Sequence, residues 1–211
     1  MDDGSYQVQV EIQGFVPAKS APIELSGNAS KTCTQKALSV NYANALLQQV
    51  LALTQQKKFA EAAERGKTAV ELLPQESGAY YVLAVAYAAA GNEPDGVAAI
   101  EKAAALNPAK YKDMVSVVRL TALGAQADAA MAKNDLDGAM KKYESMLAVN
   151  PNESTVYFNI AVAYGRASKF EQALKAIDKA IELKPQDLEV QQMKVKIQDM
   201  YLKAMDKKLE K

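Results

Sequence analysis

Four prolines constrain this chain most, because each closes a similar phrase and the phrases recur at nearly regular intervals. Pro74 follows Val70-Glu71-Leu72-Leu73, Pro108 follows Ala104-Ala105-Leu106-Asn107, Pro151 follows Leu147-Ala148-Val149-Asn150, and Pro185 follows Ile181-Glu182-Leu183-Lys184. Consecutive prolines stand 34, 43 and 34 residues apart. A period of that length points to a repeat architecture, in which each unit buries its apolar face against its neighbours. Within each unit apolar residues recur at steps of three and four, in two blocks divided by a short polar turn, which is the pattern of two amphipathic helices. The last unit is the clearest. Tyr157, Ile160, Ala161 and Tyr164 share one face of its first helix, Ser168-Lys169 makes the turn, and Phe170, Ala173, Ile177, Ala180 and Ile181 line the second. Each proline ends a second helix because it has no amide hydrogen and its ring clashes with the preceding turn. Pro94 instead sits at a helix start, where the missing N–H costs nothing.

The order of these residues resembles the tetratricopeptide repeat (TPR) family, whose pattern is W-x2-L-G-x2-Y, then A-x3-F and a closing proline. The unit ending at Pro108 carries Tyr80, Leu83, Ala84, Tyr87, Gly96, Ile100 and Ala103 at the corresponding places. Two units match less closely, with Leu46, Gln49, Val50, Leu53, Ala62, Gly66 and Ala69 before Pro74, and Leu123, Gln126, Ala127, Ala130, Ala139, Tyr143 and Met146 before Pro151. Val50 and Met146 stand where the family prefers a small residue. Enlarging a packed site costs about 1–3 kcal/mol, so wider helix crossings are expected at both. The resemblance covers roughly residues 43 to 185. It implies an all-α fold: a right-handed superhelical solenoid of about four helix pairs plus a C-terminal capping helix. The TPR domain is expected over 39–211, with units at about 43–76, 77–110, 111–153 and 154–187 and a capping helix at 187–210. Residues 1–38 form a short N-terminal extended, β-like or irregular segment and linker.

Nine extra residues follow Pro108. Tyr111, Met114, Val115, Val118 and Ala122 keep helical spacing in phase with Ala125 and Ala129, so one helix is predicted over 109–133, its extension reaching about 13 Å past its neighbours. It is either a lengthened packing helix or a ledge for a partner. After Pro185, Val190, Met193, Ile197, Met200 and Ala204 form the stripe of the capping helix, and Lys194, Lys196, Lys203, Lys207 and Lys208 keep the rest wet. The same three-and-four spacing would also suit a homodimer. At the other end Tyr6, Val8, Val10 and Ile12 alternate with polar residues, which is strand periodicity, until Pro17, Pro22 and Gly27 interrupt. Residues 3–25 bear a weaker resemblance to the closing strands of a carboxypeptidase-regulatory-like β-sandwich, carried by Asp3 to Val10, Gly14-Phe15 and Ile23-Glu24-Leu25. The alternative is a disordered leader. The first reading implies a natural chain that begins upstream and works in the periplasm or outside the cell, in keeping with a bacterial envelope protein. The second leaves a cytoplasmic protein.

Composition argues against chemistry. Histidine is absent, which removes the usual general base and the commonest metal ligand. Cys33 is the only cysteine, so no intrachain disulfide or thiolate metal cage is possible, and a small residue in a polar linker is the expectation for it. No catalytic residue, metal or cofactor is expected, and the chain reads as not an enzyme. Lys+Arg and Asp+Glu balance at 25 each, which gives nucleic acid no basic surface to meet. No apolar run approaches the roughly 18 residues of a membrane span, and Met1 precedes Asp2-Asp3 instead of a basic stretch, so no membrane insertion or signal peptide is expected. Gly66-Lys67-Thr68 ends like a phosphate loop, but Glu61 stands where that motif needs glycine. Asp135 and Asp137 beside Asn134 fit helix capping. Asn28-Ala29-Ser30 and Asn152-Glu153-Ser154 have the glycosylation pattern, and chance and capping suffice for both.

The TPR resemblance implies a concave groove lined by the first helix of each unit, and hence a non-catalytic scaffold for a protein or peptide. Its partner-binding residues are expected to be Leu47, Gln48, Leu51 and Gln55 on the first unit, Tyr81, Val82 and Val85 on the second, Asp128 on the third, and Phe158, Asn159, Val162 and Arg166 on the fourth. Seven of these are large and apolar. Bare together, they would rival or exceed the largest apolar patch of a typical monomer, about 300–600 Å². A partner segment, the chain's own N-terminal segment or a second copy could cover them; the alternative is that some, Val82 and Val162 first, are buried between helices. The alternative function is therefore a self-associating assembly protein that uses the groove or the C-terminal helix. Co-chaperones of this family grip a terminal carboxylate with Lys, Asn and Arg. Leu47, Leu51, Val82, Thr121 and Ala125 occupy the corresponding places, so no carboxylate clamp is expected.

Overall fold

The computed structural model describes the backbone of residues 31–209, the side chains of residues 40–207, and four two-residue strands near the N-terminus. The strands are β1 (Ser5–Tyr6), β2 (Gln9–Val10), β3 (Ala18–Lys19) and β4 (Ile23–Glu24). They form two antiparallel pairs, with Ser5 opposite Glu24 and Gln9 opposite Lys19. Of the predicted alternating run, Tyr6 and Val10 lie in these strands, and Val8 and Ile12 fall outside the described residues.

Among the described residues ten helices follow: α1 (Lys31–Gln55), α2 (Phe59–Leu72), α3 (Ser77–Ala89), α4 (Glu93–Leu106), α5 (Pro108–Tyr111), α6 (Met114–Ala132), α7 (Leu136–Val149), α8 (Ser154–Arg166), α9 (Phe170–Leu183) and α10 (Leu188–Leu209). They pair as α1 with α2, α3 with α4, α6 with α7 and α8 with α9, each pair being one repeat unit. Small residues let the paired backbones close: Ala62, Ala69, Ala84, Ala103, Ala127, Ala139, Ala161, Ala173 and Ala180 are all 0% exposed. The all-α solenoid of four pairs and a final helix is as the repeat pattern implied.

Each pair turns in the same way. Lys57, Gly91, Asn134 and Ser168 have φ of 60°, 74°, 56° and 57°, and they repeat at the spacing of the prolines. The amide of the following residue reaches back five residues, as in Lys58 N–H to the Leu53 carbonyl and Lys169 N–H to the Tyr164 carbonyl, both 2.9 Å. This is the Schellman ending, which needs one residue in the left-handed region. The second helices stop at Leu72, Leu106, Val149 and Leu183, two residues before each proline. Asn92 and Asp135 accept from the amides of Asp95 and Gly138 and so cap α4 and α7, the role expected of Asp135.

Three departures have physical reasons. α1 starts at Lys31, inside the segment assigned to a linker, because nothing between Gly27 and residue 43 breaks a helix; Cys33 therefore lies on helical backbone. The helix predicted over 109–133 is divided into α5 and α6 at Lys112–Asp113. Tyr111, only 4% exposed, is held in the core of the second unit, so α5 lies along α4 and does not project. The wider crossings fall in one place of the two expected. Val50 is fully buried, and α1 meets α2 as closely as the helices of the other pairs meet; beyond Met146, α7 meets α8 over a much shorter stretch than α2 meets α3.

Candidate partner-binding groove

The first helices α1, α3 and α6 lie side by side, with α3 touching both. On α1, Leu47 is half-buried, Leu51 is 39% exposed, and Gln48 and Gln55 are exposed. On α3, Tyr81, Val82 and Val85 are half-buried. Val82 leans on the small cluster of Val50, Ala62 and Ala86. Tyr81 stacks on Tyr111, with ring centroids 5.3 Å apart and planes at 27°. Part of its face is thus covered by the insertion after Pro108.

These contacts leave the apolar residues of the expected groove only partly bare. Of Leu47, Leu51, Tyr81, Val82, Val85, Phe158 and Val162, only Leu51 is largely exposed, and the others are half-buried. Tyr111 covers part of Tyr81, the Val50–Ala62–Ala86 cluster part of Val82, and the core of the last two units part of Phe158.

The third and fourth units contribute differently. Asp128 on α6 and Arg166 on α8 are exposed, while Phe158, Asn159 and Val162 on α8 are half-buried and Phe158 packs on the core of the last two units. No close approach joins α6 to α8 as it joins α1 to α3 and α3 to α6. The twelve expected residues are therefore brought together in two groups, a continuous wall on α1, α3 and α6 and a separate rib on α8. Tyr143 of α7 is buried in the core of the last two units. Burial, and then the Asp128 carboxylate, push its hydroxyl above the ordinary tyrosine value, and Arg166 pulls the other way. Asp128 and Arg166 stand exposed on the third and fourth units, one on each side of their junction. A cleft of about 420 Å³ also opens at this junction, walled by Leu136, Met140 and Glu144 of α7 and by Tyr164 and Lys169 of the fourth unit.

The positions of a family carboxylate clamp carry no charge here, and Thr121 donates its hydroxyl to the Val117 carbonyl at 2.8 Å. Two contributors were missed in the sequence. Tyr111 shapes the wall through Tyr81, and Gln126 donates to the Gly91 carbonyl at 2.7 Å, which ties α6 to the turn of the second unit. Both lay in the helical pattern with no local mark of a long-range contact. A third set, Leu188, Val195 and Leu202, is exposed on α10; its seven-residue spacing was legible and unused. Among the described residues no cluster of three or more His, Cys, Asp or Glu is placed to hold a metal ion, and no helix is long and apolar enough to cross a membrane.

Paired helices in register, a left-handed residue at each turn and a layer of first helices define a helical-repeat scaffold. Tetratricopeptide repeat family models match residues 38–110 and 130–197, which together make about two thirds of the chain. The chain belongs to the tetratricopeptide repeat family, whose members are in general non-catalytic protein-interaction scaffolds. Similar solved structures include residues 41 to the end of MamA from Desulfovibrio magneticus RS-1, at 16% identity and TM-score 0.39 over 81% of this chain and 97% of that one. A TPR repeats protein from Bacteroides fragilis gives 13% identity and TM-score 0.45 over 80% and 93%. YrrB, described as a TPR protein with an unusual peptide-binding site, gives 17% and 0.36 over 79% and 98%. No curated protein matches the chain. The family matches do not reach the first 37 residues, and the β-sandwich resemblance of residues 3–25 finds no support among the comparisons.

Proposed function

We propose that this protein holds a segment of a partner protein along its first-helix layer, with apolar tips on α1 and α3 as anchors and polar groups as register. The observation that carries the reading is the row of Leu47, Leu51, Tyr81, Val82 and Val85 on two adjacent helices, partly open to solvent and edged by Gln48 and Gln55. Apolar side chains on a peptide would complete the burial that neighbouring helices only begin, while the amides hydrogen-bond its backbone. Asp128 on α6 and Arg166 on α8, both exposed, would read charge further along the same segment. A free carboxy terminus plays no part in this mode, since the clamp positions are Leu47, Leu51, Val82, Thr121 and Ala125.

A photo-crosslinking amino acid placed at Leu51 or Val85 tests this in cells. Adducts to one partner segment are expected there, and none at Glu101 on a second helix. Leu51→Glu should abolish the adduct formed through Val85, and amidation of the recovered peptide's terminus should leave its affinity unchanged. Equal labelling at Glu101 would sink the groove reading.

A further inference from the structure

The last helix starts as the first helix of a fifth unit. The residue six positions after three of the four closing prolines bonds back to that proline's carbonyl: Tyr80 to Pro74 at 3.4 Å, Tyr157 to Pro151 at 3.3 Å, and Gln191 to Pro185 at 2.6 Å. The side that meets the preceding unit is buried in the same register. Ala79 and Val156 are 0% exposed, and Val190 in the same place is 4% exposed; Ala86 and Ala163 are 1% exposed, and Ile197 is 2% exposed.

The other side is bare. A first helix rests that side on its own second helix: Val50, Ala84, Ala127 and Ala161 occupy one repeat position and are all 0% exposed, whereas Val195 in that position is 65% exposed. Ser154 is 2% exposed and donates to the Ala180 carbonyl of its second helix at 3.1 Å, while its counterpart Leu188 is 68% exposed. Leu202, one heptad beyond Val195, is 62% exposed. Among the described residues none fills this seat, and α10 stays helical from Leu188 to Leu209, through the place where the other first helices turn. Lys203 bridges Asp199 at 2.7 Å across that place. α10 has 22 residues against 13 in α3 and α8, more than is needed to cover the fourth unit.

We propose that the outer face of α10 is a homodimer seam. The α10 of a second copy packs antiparallel on it, and each helix takes the seat of the other's missing second helix. Antiparallel is the direction in which every first and second helix of this fold pairs. A two-fold axis beside Gln198 sets Val195 against the partner's Leu202 and Leu202 against the partner's Val195, so one stripe serves both sides, as an isologous contact requires. Lys196, Asp199 and Lys203 alternate in sign along one edge, so the same axis brings Lys196 of each copy toward Asp199 of the other. The strip is about 33 Å long and about 10 Å wide. That is roughly two fifths of the 800 Å² per partner in a standard interface, so the dimer is a weak one.

Sedimentation equilibrium of the 211-residue chain from about 1 to about 200 μM tests this. A monomer–dimer transition is expected in that range. Val195→Glu and Leu202→Glu, at exposed positions, should each weaken it at least about tenfold without loss of helix circular dichroism, because they place a charge in the apolar seam. Leu51→Glu in the groove should leave it unchanged. Gln198→Cys in a Cys33→Ser background should form a disulfide-linked dimer on oxidation. A chain that stays monomeric throughout, a dimer indifferent to both seam variants, or one lost through Leu51→Glu would overturn the seam. Failure of Gln198→Cys to cross-link, with both seam variants dissociating the dimer, would overturn the antiparallel pairing.

Discussion

Ser168, Lys57, Asn134 and Gly91 hold the same left-handed turn, yet only one of them is glycine. An L-residue in that region loses about 1–2 kcal/mol, with asparagine the best tolerated after glycine. Ser168→Gly and Lys57→Gly are therefore expected to raise stability by about 0.5–1 kcal/mol each, net of the extra freedom glycine has when unfolded. Gly91→Ala should lower it by about 1–2 kcal/mol, since its Cβ would also come within 3.3 Å of Gln126 Cγ. Urea midpoints of the three variants check both signs. Tyr143 supports a further prediction. Its folded pKa is raised by burial and by Asp128, so its contribution to stability is complete below the ordinary tyrosine value of about 10 and is lost as pH rises above it. Tyr143→Phe should flatten part of the loss of stability between about pH 9 and pH 11, with Tyr87, raised chiefly by burial, accounting for another part. The turn at Ser168-Lys169 was legible, but its left-handed residue was not, because serine and lysine carry no signal for that backbone. The proline phrases that follow from the same period were plain.

At the scale of single helices, the apolar spacing foretold where most of the chain would be helical and which face of α10 would turn inward. Val190 and Ile197 are buried and Met193 packs on the core, as the capping stripe required, although Met200 is 37% exposed. Spacing also kept residues 109–133 in one phase, and it could not show that Tyr111 would be drawn into a stack with Tyr81 and hold α5 against α4. A helical pattern records periodicity within a segment and is silent on a contact with a ring thirty residues earlier. Tyr111→Ala should cost about 3 kcal/mol, as for other buried aromatic truncations, and Tyr111→Phe much less, since no hydroxyl contact holds the stack. Arg119 lies 3.3 Å from Glu93 as an ion pair that also joins α6 to α4, but both groups are partly exposed, so its loss should matter far less than that of the ring. Thermal unfolding of Tyr111→Ala, Tyr111→Phe and Arg119→Ala would establish that order. An equal cost for Arg119→Ala would show that charge and not the aromatic stack holds the insertion.

Across the whole molecule the repeats were legible and their spacing was not. The number of units follows from the prolines, but how closely successive units stack depends on residues such as Met146, at a position where alanine serves the neighbouring unit. Stability in a stack of repeats is approximately a sum of unit terms and nearest-neighbour interface terms. The interface between the third and fourth units lacks the approach of first helices that the others have, and a cleft of about 420 Å³ opens beside it. The fourth unit and α10 should then open as a group more readily than the first three units, which α3 links on both sides. Native-state hydrogen exchange reads this directly. Amides of α8, α9 and α10 are expected to share one opening free energy, below that of α3 and α4. Ile177→Ala, at a side chain that is 0% exposed, should lower the first value by about 2–5 kcal/mol. A tightly coupled stack would pass the same loss on to α3 and α4, so their exchange is the deciding measurement. Unchanged protection there means that the weak junction lets the α8 rib move against the wall of α1, α3 and α6, and the groove can then adjust its width to the segment it holds. Equal loss in both halves would make the solenoid one rigid body and fix that width.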